Sequence, residues 1–138
     1  MATPPRQELL AAPVRSDADV LARVGAIIGE NARRLRSLWL FFLHGDGVQG
    51  NVIVPIEDVP ELPDPSLVND FCFMAARAVA VTAADGRAVI TLTRPGAAML
   101  AESDLLWLAA LREGAASHEA PVRMFCLATP CLVRELSP

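Results

Sequence analysis

Residues 88–111 read AVITLTRPGAAMLAESDLLWLAAL, and this stretch changes its pattern in the middle. Residues 88–93 form an apolar β-type run, which ends at a Pro-Gly loop at positions 95–96. Ser103 and Asp104 then stand where a helix begins, because short polar side chains are favoured there. Leucines follow at helical spacing and are expected to face a core: Leu105, Leu108 and Leu111. The stretch predicts a strand, a loop and an amphipathic helix ending near Gly114.

Three further elements are predicted before this stretch. A helix capped by Ser16 carries apolar residues at helical spacing as far as Ile28. The apolar run at 38–43 and the alternating run at 48–56 flank an Asp-Gly turn, which indicates a β-hairpin. Prolines then interrupt the pattern, and Asp64 caps a second helix that extends to about Val81.

Two short strands are predicted after the stretch, at 122–128 and 132–136. Strands that alternate with helices after a hairpin favour parallel pairing through crossovers. The expected fold class is therefore α/β, with three layers (α/β/α) and one mixed sheet. Residues 16–138 are interpreted as a single domain, and residues 1–15 as a loosely ordered, proline-containing lead-in.

The same stretch resembles a known family. A strand that runs into a proline, followed about ten residues later by a Ser and an Asp at a helix start, is similar to the RadC-like branch of the JAB/MPN metalloprotease-like superfamily. In that family the strand runs into His-x-His-Pro. Here Pro95 stands at the motif's proline, whereas Leu92 and Arg94 occupy the two histidine positions. The resemblance extends over about residues 35–136.

The resemblance implies a cytidine-deaminase-like (JAB/MPN-type) topology whose chemistry has been lost. Asp104 matches the family's metal-binding aspartate, but leucine cannot donate a lone pair and the guanidinium of Arg94 would repel a zinc ion. We therefore expect no catalytic residue, no metal and no cofactor. The resemblance predicts a catalytically inactive RadC/JAB-MPN-like domain that acts through protein-protein contacts.

Arg94, Ser103 and Asp104 are the candidate binding residues, and they leave alternatives open. An arginine at the carboxyl end of a parallel strand points towards the crevice where α/β sheets bind ligands. Arg94 could form an internal salt bridge with Asp104, or it could hold a small anionic ligand in a vestigial cleft. A third hypothesis is a metal-dependent hydrolase that uses His44, His118 and Asp104 as ligands.

Composition limits the classes of partner. The 138 residues carry a net charge of −4 and no lysine, which weighs against nucleic-acid binding. The one basic cluster, at residues 33–36, is interpreted as the end of a helix, where it would complement the helix dipole. Hydrophobic residues make up 53% of the chain, but the longest unbroken apolar run is too short for a membrane span. We expect a homo-oligomer with an unidentified protein partner or a small anionic ligand, and no membrane association.

The three cysteines are an odd number, and no secretory pattern begins the chain, so a cytoplasmic, reduced protein is expected. Cys126 and Cys131 are interpreted as buried structural thiols rather than a redox pair.

Overall fold

The computed structural model describes residues 12–82 and 84–138, and it has the predicted order of elements. The helices are α1 (Asp17–Ile27), α2 (Pro65–Thr82) and α3 (Glu102–Ser117), with a short 3₁₀ turn at Ala32–Arg34. The strands are β1 (Ser37–Leu43), β2 (Gln49–Glu57), β3 (Arg87–Thr93), β4 (Val122–Ala128) and β5 (Val133–Glu135). The hairpin, the strand–loop–helix unit at residues 88–111 and the two last strands are therefore confirmed.

The five strands form one mixed sheet in the order β2-β1-β3-β4-β5. Strands β3 and β4 are parallel and are connected by α3, whereas the other three neighbouring pairs are antiparallel. The hairpin turn between β1 and β2 places Gly47 at φ 87°, a conformation that glycine adopts without the steric cost of a Cβ atom. The predicted single mixed sheet is thus confirmed.

Helices cover both faces of the sheet. One face, the helix-pair face, packs against α2 and α3, and its sheet residues include Leu40, Phe42, Ile90, Leu92 and Leu127. The opposite face, the α1 face, packs against α1, and its sheet residues include Phe41, Val89 and Cys126. Because side chains alternate along a strand, the consecutive buried residues of β1 divide between the two cores. The N-terminal helix therefore covers the sheet of its own chain.

Two predicted helix caps are present. The Ser16 hydroxyl accepts a hydrogen bond from the Asp19 amide at 3.1 Å, and the Asp19 carboxylate accepts one from the Ser16 amide at 3.2 Å. The Arg15 and Ser16 amides both donate to this carboxylate, and their bonds lower the pKa of Asp19. At α2 the carboxylate of Asp64 accepts a hydrogen bond from the Ser66 amide at 3.1 Å. Each cap satisfies backbone N–H groups that have no partner within the helix.

Helix α3 differs from the prediction in its end and in the side that faces the core. The helix continues to Ser117, so Gly114 lies inside it rather than ending it. A Cβ atom at position 114 would lie 2.7 Å from the Sγ atom of Cys72 on α2, so glycine allows the two helices to approach closely. Leu105, which was expected to face the core, is 39% exposed, and Trp107 is fully buried instead.

The arginine cluster is also placed differently from the prediction. Helix α1 ends at Ile27, and Arg33 and Arg34 lie in the separate 3₁₀ turn, so they do not complement the dipole of that helix. The Arg33 guanidinium instead donates a hydrogen bond to the Thr129 carbonyl at 3.2 Å. Its role is therefore to connect this turn to the chain that follows β4.

The two ends of the described chain are only partly regular. Residues 1–11 of the predicted lead-in lie outside the described residues, and residues 12–15 form neither helix nor strand. Val14 is nevertheless buried in the α1-face core, and its amide donates to the Gly47 carbonyl at 2.8 Å. None of the described helices combines the length and the apolarity that a membrane span requires.

Strand β2 is an edge strand of the sheet. Among the described residues it pairs only with β1, so no described strand pairs with its other edge, and it contains Pro55. The pairing register shifts between Phe41 and Leu43 of β1, so β2 has extra residues near its start. Val52 and Ile53, in this part of the strand, are 38% and 37% exposed.

Candidate functional site

Arg94 and Asp104 are brought together by the end of β3 and the start of α3. Arg94 follows the last residue of β3, and its amide extends the parallel pairing by donating to the Ala128 carbonyl at 3.3 Å. Asp104 lies in the first turn of α3, and its amide donates to the Ala101 carbonyl at 3.1 Å. The loop between them therefore has to bring the chain back over the carboxyl end of β3.

The two side chains form a bidentate ion pair. Nε of Arg94 donates to Oδ1 of Asp104 at 2.7 Å, and Nη2 donates to Oδ2 at 2.7 Å. The side chains are 6% and 0% exposed. Two short parallel bonds between a guanidinium and a carboxylate are the strongest common geometry for such a pair. The internal salt bridge considered from the sequence is thus the contact observed.

The loop at residues 95–99 folds around the same guanidinium. Nη1 donates to the carbonyls of Pro95 and Ala97 at 3.0 and 2.8 Å, and Nη2 donates to the Met99 carbonyl at 2.9 Å. With the two bonds to Asp104, these bonds use all five N–H donors that an arginine side chain possesses. An anionic ligand could bind Arg94 only by displacing one of these acceptors.

Asp104 accepts a third hydrogen bond in this network, whereas Ser103 is not part of the network. Oδ2 of Asp104 also accepts a hydrogen bond from the Ala101 amide at 2.8 Å, which fixes the start of α3. Ser103 is half-buried beside it, and within the described part of the chain its hydroxyl bonds to neither Arg94 nor Asp104. The structure therefore joins two of the three candidate residues.

The two histidines lie far from Asp104. His118 follows the last residue of α3 and forms a 2.9 Å hydrogen bond with Asn69, so about 20 Å of helix separates it from Asp104. His44 follows the end of β1 that lies opposite Ser37, the residue that pairs with Thr93, so it is also about 20 Å from Arg94. The described residues include no group of three His, Cys, Asp or Glu side chains placed to hold a metal.

A chain of hydrogen bonds beside Arg94 was not anticipated from the sequence. Nε1 of Trp39 donates to the Ser37 hydroxyl at 2.9 Å, the Ser37 and Thr93 hydroxyls bond to each other, and Thr93 donates to the Leu35 carbonyl at 2.7 Å. This chain links β1 to the last residue of β3 on the α1 face. Ser37 and Thr93 are 56 residues apart in the sequence, and only their alternation with apolar residues marks them as inward-facing polar residues.

The cysteines are free, and they differ in environment. Cys72 and Cys126 are buried, and burial raises the pKa of both thiols, that of Cys126 to about 12. Cys131 is exposed, so the prediction that it is buried is wrong, whereas the same prediction for Cys126 is confirmed. The reason is that Cys131 lies in the turn between β4 and β5 rather than on a strand.

Comparison with known proteins adds no relative. The chain matches no protein-family model, aligns significantly with no curated protein and matches no solved structure significantly. The resemblance to RadC-like proteins rests on the residues quoted above.

Proposed function

We propose that this chain is a catalytically inactive domain of the RadC or JAB/MPN type, with the cytidine-deaminase-like topology of that superfamily, and that it acts through contacts with other proteins. The observation that carries this proposal is the buried ion pair between Arg94 and Asp104. It lies at the place where the resemblance would put a metal ion and its aspartate ligand.

The surroundings of the pair support this proposal. Leu92 and Arg94 are two residues apart at the end of β3, so a strand would direct both side chains to the same face, as a His-x-His pair requires. Asp104 reaches that place from the first turn of the next helix. The guanidinium supplies a permanent positive charge there, and it occupies both oxygens of the carboxylate.

The outer surface of the helix pair supports a role in protein contacts. Phe73 and Val81 on α2 are 54% and 75% exposed, and Leu106 on α3 is 45% exposed. The Phe73 ring lies edge-on against His118, at 5.7 Å between ring centroids. Exposed aromatic and aliphatic side chains are common in interfaces between proteins. We propose self-association through this surface as the first contact to test.

The two alternative functions have less support. Binding of an anionic ligand at Arg94 and Asp104 would have to break bonds, because every donor of the guanidinium already has an acceptor. Hydrolysis with His44, His118 and Asp104 would require three side chains that lie at separate places to move to one ion.

Light scattering coupled to size exclusion, at micromolar protein concentration, tests self-association. We expect the mass of a dimer or a larger oligomer for the wild type and a lower mass for Phe73→Ser/Leu106→Ser. The matched control is Leu35→Ser, which removes an apolar side chain that is 63% exposed but lies outside the helix pair. A monomeric wild type, or equal masses for all variants, would contradict self-association through this surface.

Restoration of the lost ligands tests the relationship to the metalloprotease-like superfamily. In Leu92→His/Arg94→His, the new imidazoles and Asp104 should take up about one zinc ion per chain, with a rise in melting temperature on zinc addition. The control adds Asp104→Ala to the same pair and should lose the zinc. A folded double variant, verified by circular dichroism, that takes up no zinc would count against the proposed relationship.

A further inference from the structure

A cleft of about 580 Å³ opens at the hairpin end of the sheet. Its walls are the turn between β1 and β2, the start of β3 at Arg87, the start of β4 at Arg123, and Arg15 just before α1. Arg87 and Arg94 lie at opposite ends of β3, so the cleft is about 20 Å from the Arg94–Asp104 pair. Its volume is in the range of small-molecule sites.

A β-bulge directs Arg123 into this cleft. Ala88 of β3 pairs with Val122 of β4, but Val89 pairs with Met124, so Arg123 is an extra residue in β4. As a result, Val122 packs on the helix-pair face, Met124 lies in the α1-face core, and Arg123 reaches Asp17 at the start of α1. Bulges commonly redirect a side chain next to a functional site.

In the part of the chain that the structure describes, the arginines that line the cleft keep guanidinium N–H donors without an internal acceptor. Among the described residues, the side chains of Arg15 and Arg87 form no ion pair, and that of Arg123 forms one, at 2.7 Å, with the exposed Asp17. Arg94 differs from these arginines, because all five of its N–H donors already have acceptors. Free guanidinium donors in a concave site suit a phosphate or carboxylate group.

Carboxylates lie in the same cleft. Asp46 is in the hairpin turn, and Asp85 lies so close to Gly45 of that turn that a side chain at position 45 would overlap its carboxylate. One carboxylate oxygen of Asp46 accepts a hydrogen bond from the Val48 amide at 3.0 Å, and Asp46 is an exposed residue. The cleft therefore offers acceptors as well as donors, and neither sign of charge dominates it.

We propose that this cleft binds a small molecule that carries both an acidic group and an amino group. The phosphate or carboxylate is held by Arg87 and Arg123, and the ammonium group is held by Asp46 and Asp85. The site does not depend on the function proposed above, because it shares no residue with the Arg94–Asp104 pair or with the outer surface of the helix pair.

Amide chemical shifts of the full chain, titrated with O-phospho-L-serine, test the proposal. We expect saturable shifts at millimolar probe that are confined to the hairpin turn and the starts of β3 and β4. Arg87→Ala should weaken binding at least about tenfold, equivalent to about 1.4 kcal/mol, because charge-assisted bonds to the phosphate are lost. Arg123→Ala should weaken it similarly, and both positions allow a folded protein because neither side chain belongs to a core.

The matched control is Arg77→Ala, which removes an exposed arginine from α2 and should leave the affinity unchanged. Inorganic phosphate, which lacks the amino group, should bind more weakly than phosphoserine. Equal affinity for the two probes would overturn the role of Asp46 and Asp85. The absence of saturable shifts, shifts centred on Arg94, or wild-type affinity in Arg87→Ala would overturn the site itself.

Discussion

Removing one member of the buried ion pair between Arg94 and Asp104 is expected to destabilise this fold strongly. Asp104→Ala removes the two 2.7 Å bonds to Arg94 and the 2.8 Å bond from the Ala101 amide. It leaves the guanidinium of Arg94, whose side chain is only 6% exposed, without its counter-charge. Breaking a buried pair in this way costs about 3–5 kcal/mol. Alanine is a good helix former, so the loss is not due to helix propensity.

The effect should be measurable by urea denaturation followed by tryptophan fluorescence. Urea is uncharged and does not screen the pair, and the fully buried Trp107 lies three residues after Asp104. A small domain has about 5–15 kcal/mol of stability, so the variant should lose about a fifth of it or more. The corresponding fall in melting temperature is about 10–20 °C.

A double-mutant cycle separates the interaction from the cost of the truncations. Arg94→Ala should be at least as harmful as Asp104→Ala, since it leaves a carboxylate with 0% exposure facing only one amide. Arg94→Ala/Asp104→Ala leaves no buried charge at this place, and the carbonyls that it frees belong to the exposed residues Pro95, Ala97 and Met99. We therefore expect the double variant to be more stable than the sum of the single losses predicts, by about 2 kcal/mol or more.

The exposed pair between Arg34 and Glu30 is the matched control. Its side chains are 58% and 63% exposed, with a 3.2 Å contact, and the same cycle there should give a coupling of about 0–0.5 kcal/mol. Additive losses at Arg94 and Asp104, or a loss below about 1 kcal/mol for either single variant, would refute the assignment of a dry, coupled pair.

Three further predictions concern packing, thiol reactivity and capping. Gly114→Ala should lower the melting temperature. Overlap of the new Cβ atom with Cys72 costs about 1–3 kcal/mol, which outweighs a gain of about 1 kcal/mol in helix propensity. A more stable variant would contradict this prediction. A thiol reagent at mildly alkaline pH should label the exposed Cys131 quickly in the native protein. Cys126 should react only after unfolding, because it is buried and its pKa is raised to about 12. Rapid labelling of Cys126 would be inconsistent with its burial. Ser16→Ala should reduce the free energy of unfolding by about 1 kcal/mol through loss of the α1 cap, and an unchanged urea midpoint would argue against that cap.

Features that depend on nearby residues could be predicted from the sequence. The Ser16 cap and the Asp-Gly hairpin turn are specified within a few residues, and both are present. The pair of Arg94 and Asp104 was one of two alternatives, because ten residues with a Pro-Gly loop allow the chain to return. What the sequence could not show is that the loop carbonyls would take up the remaining donors of Arg94.

Features that depend on distant packing could not be predicted. Residues 105–111 are all apolar, so their periodicity does not define which side of α3 faces the core, and Leu105 was assigned to the wrong side. Gly114 has a local tendency to end a helix, but contact with α2 determines its place instead. The cleft joins Arg15, Arg87 and Arg123, which are far apart in the chain, and nothing in the local sequence indicates the bulge that redirects the last of them.

Pro55 lies on the edge strand β2 and limits how copies of this protein can assemble. The His44 amide donates to the Val48 carbonyl, so the backbone N–H and C=O groups of His44 point towards β2. Because this direction alternates along a strand, the backbone groups of Leu40 also point towards β2, and those of its partner Val54 point towards β1. The next residue of β2, Pro55, therefore faces the open edge and has no N–H group to offer a further strand. Together with the irregular start of β2, this makes the edge a poor template for sheet extension, which protects an apolar chain from fibre-like growth. Closed oligomers of this protein can still assemble through the surfaces of its helices.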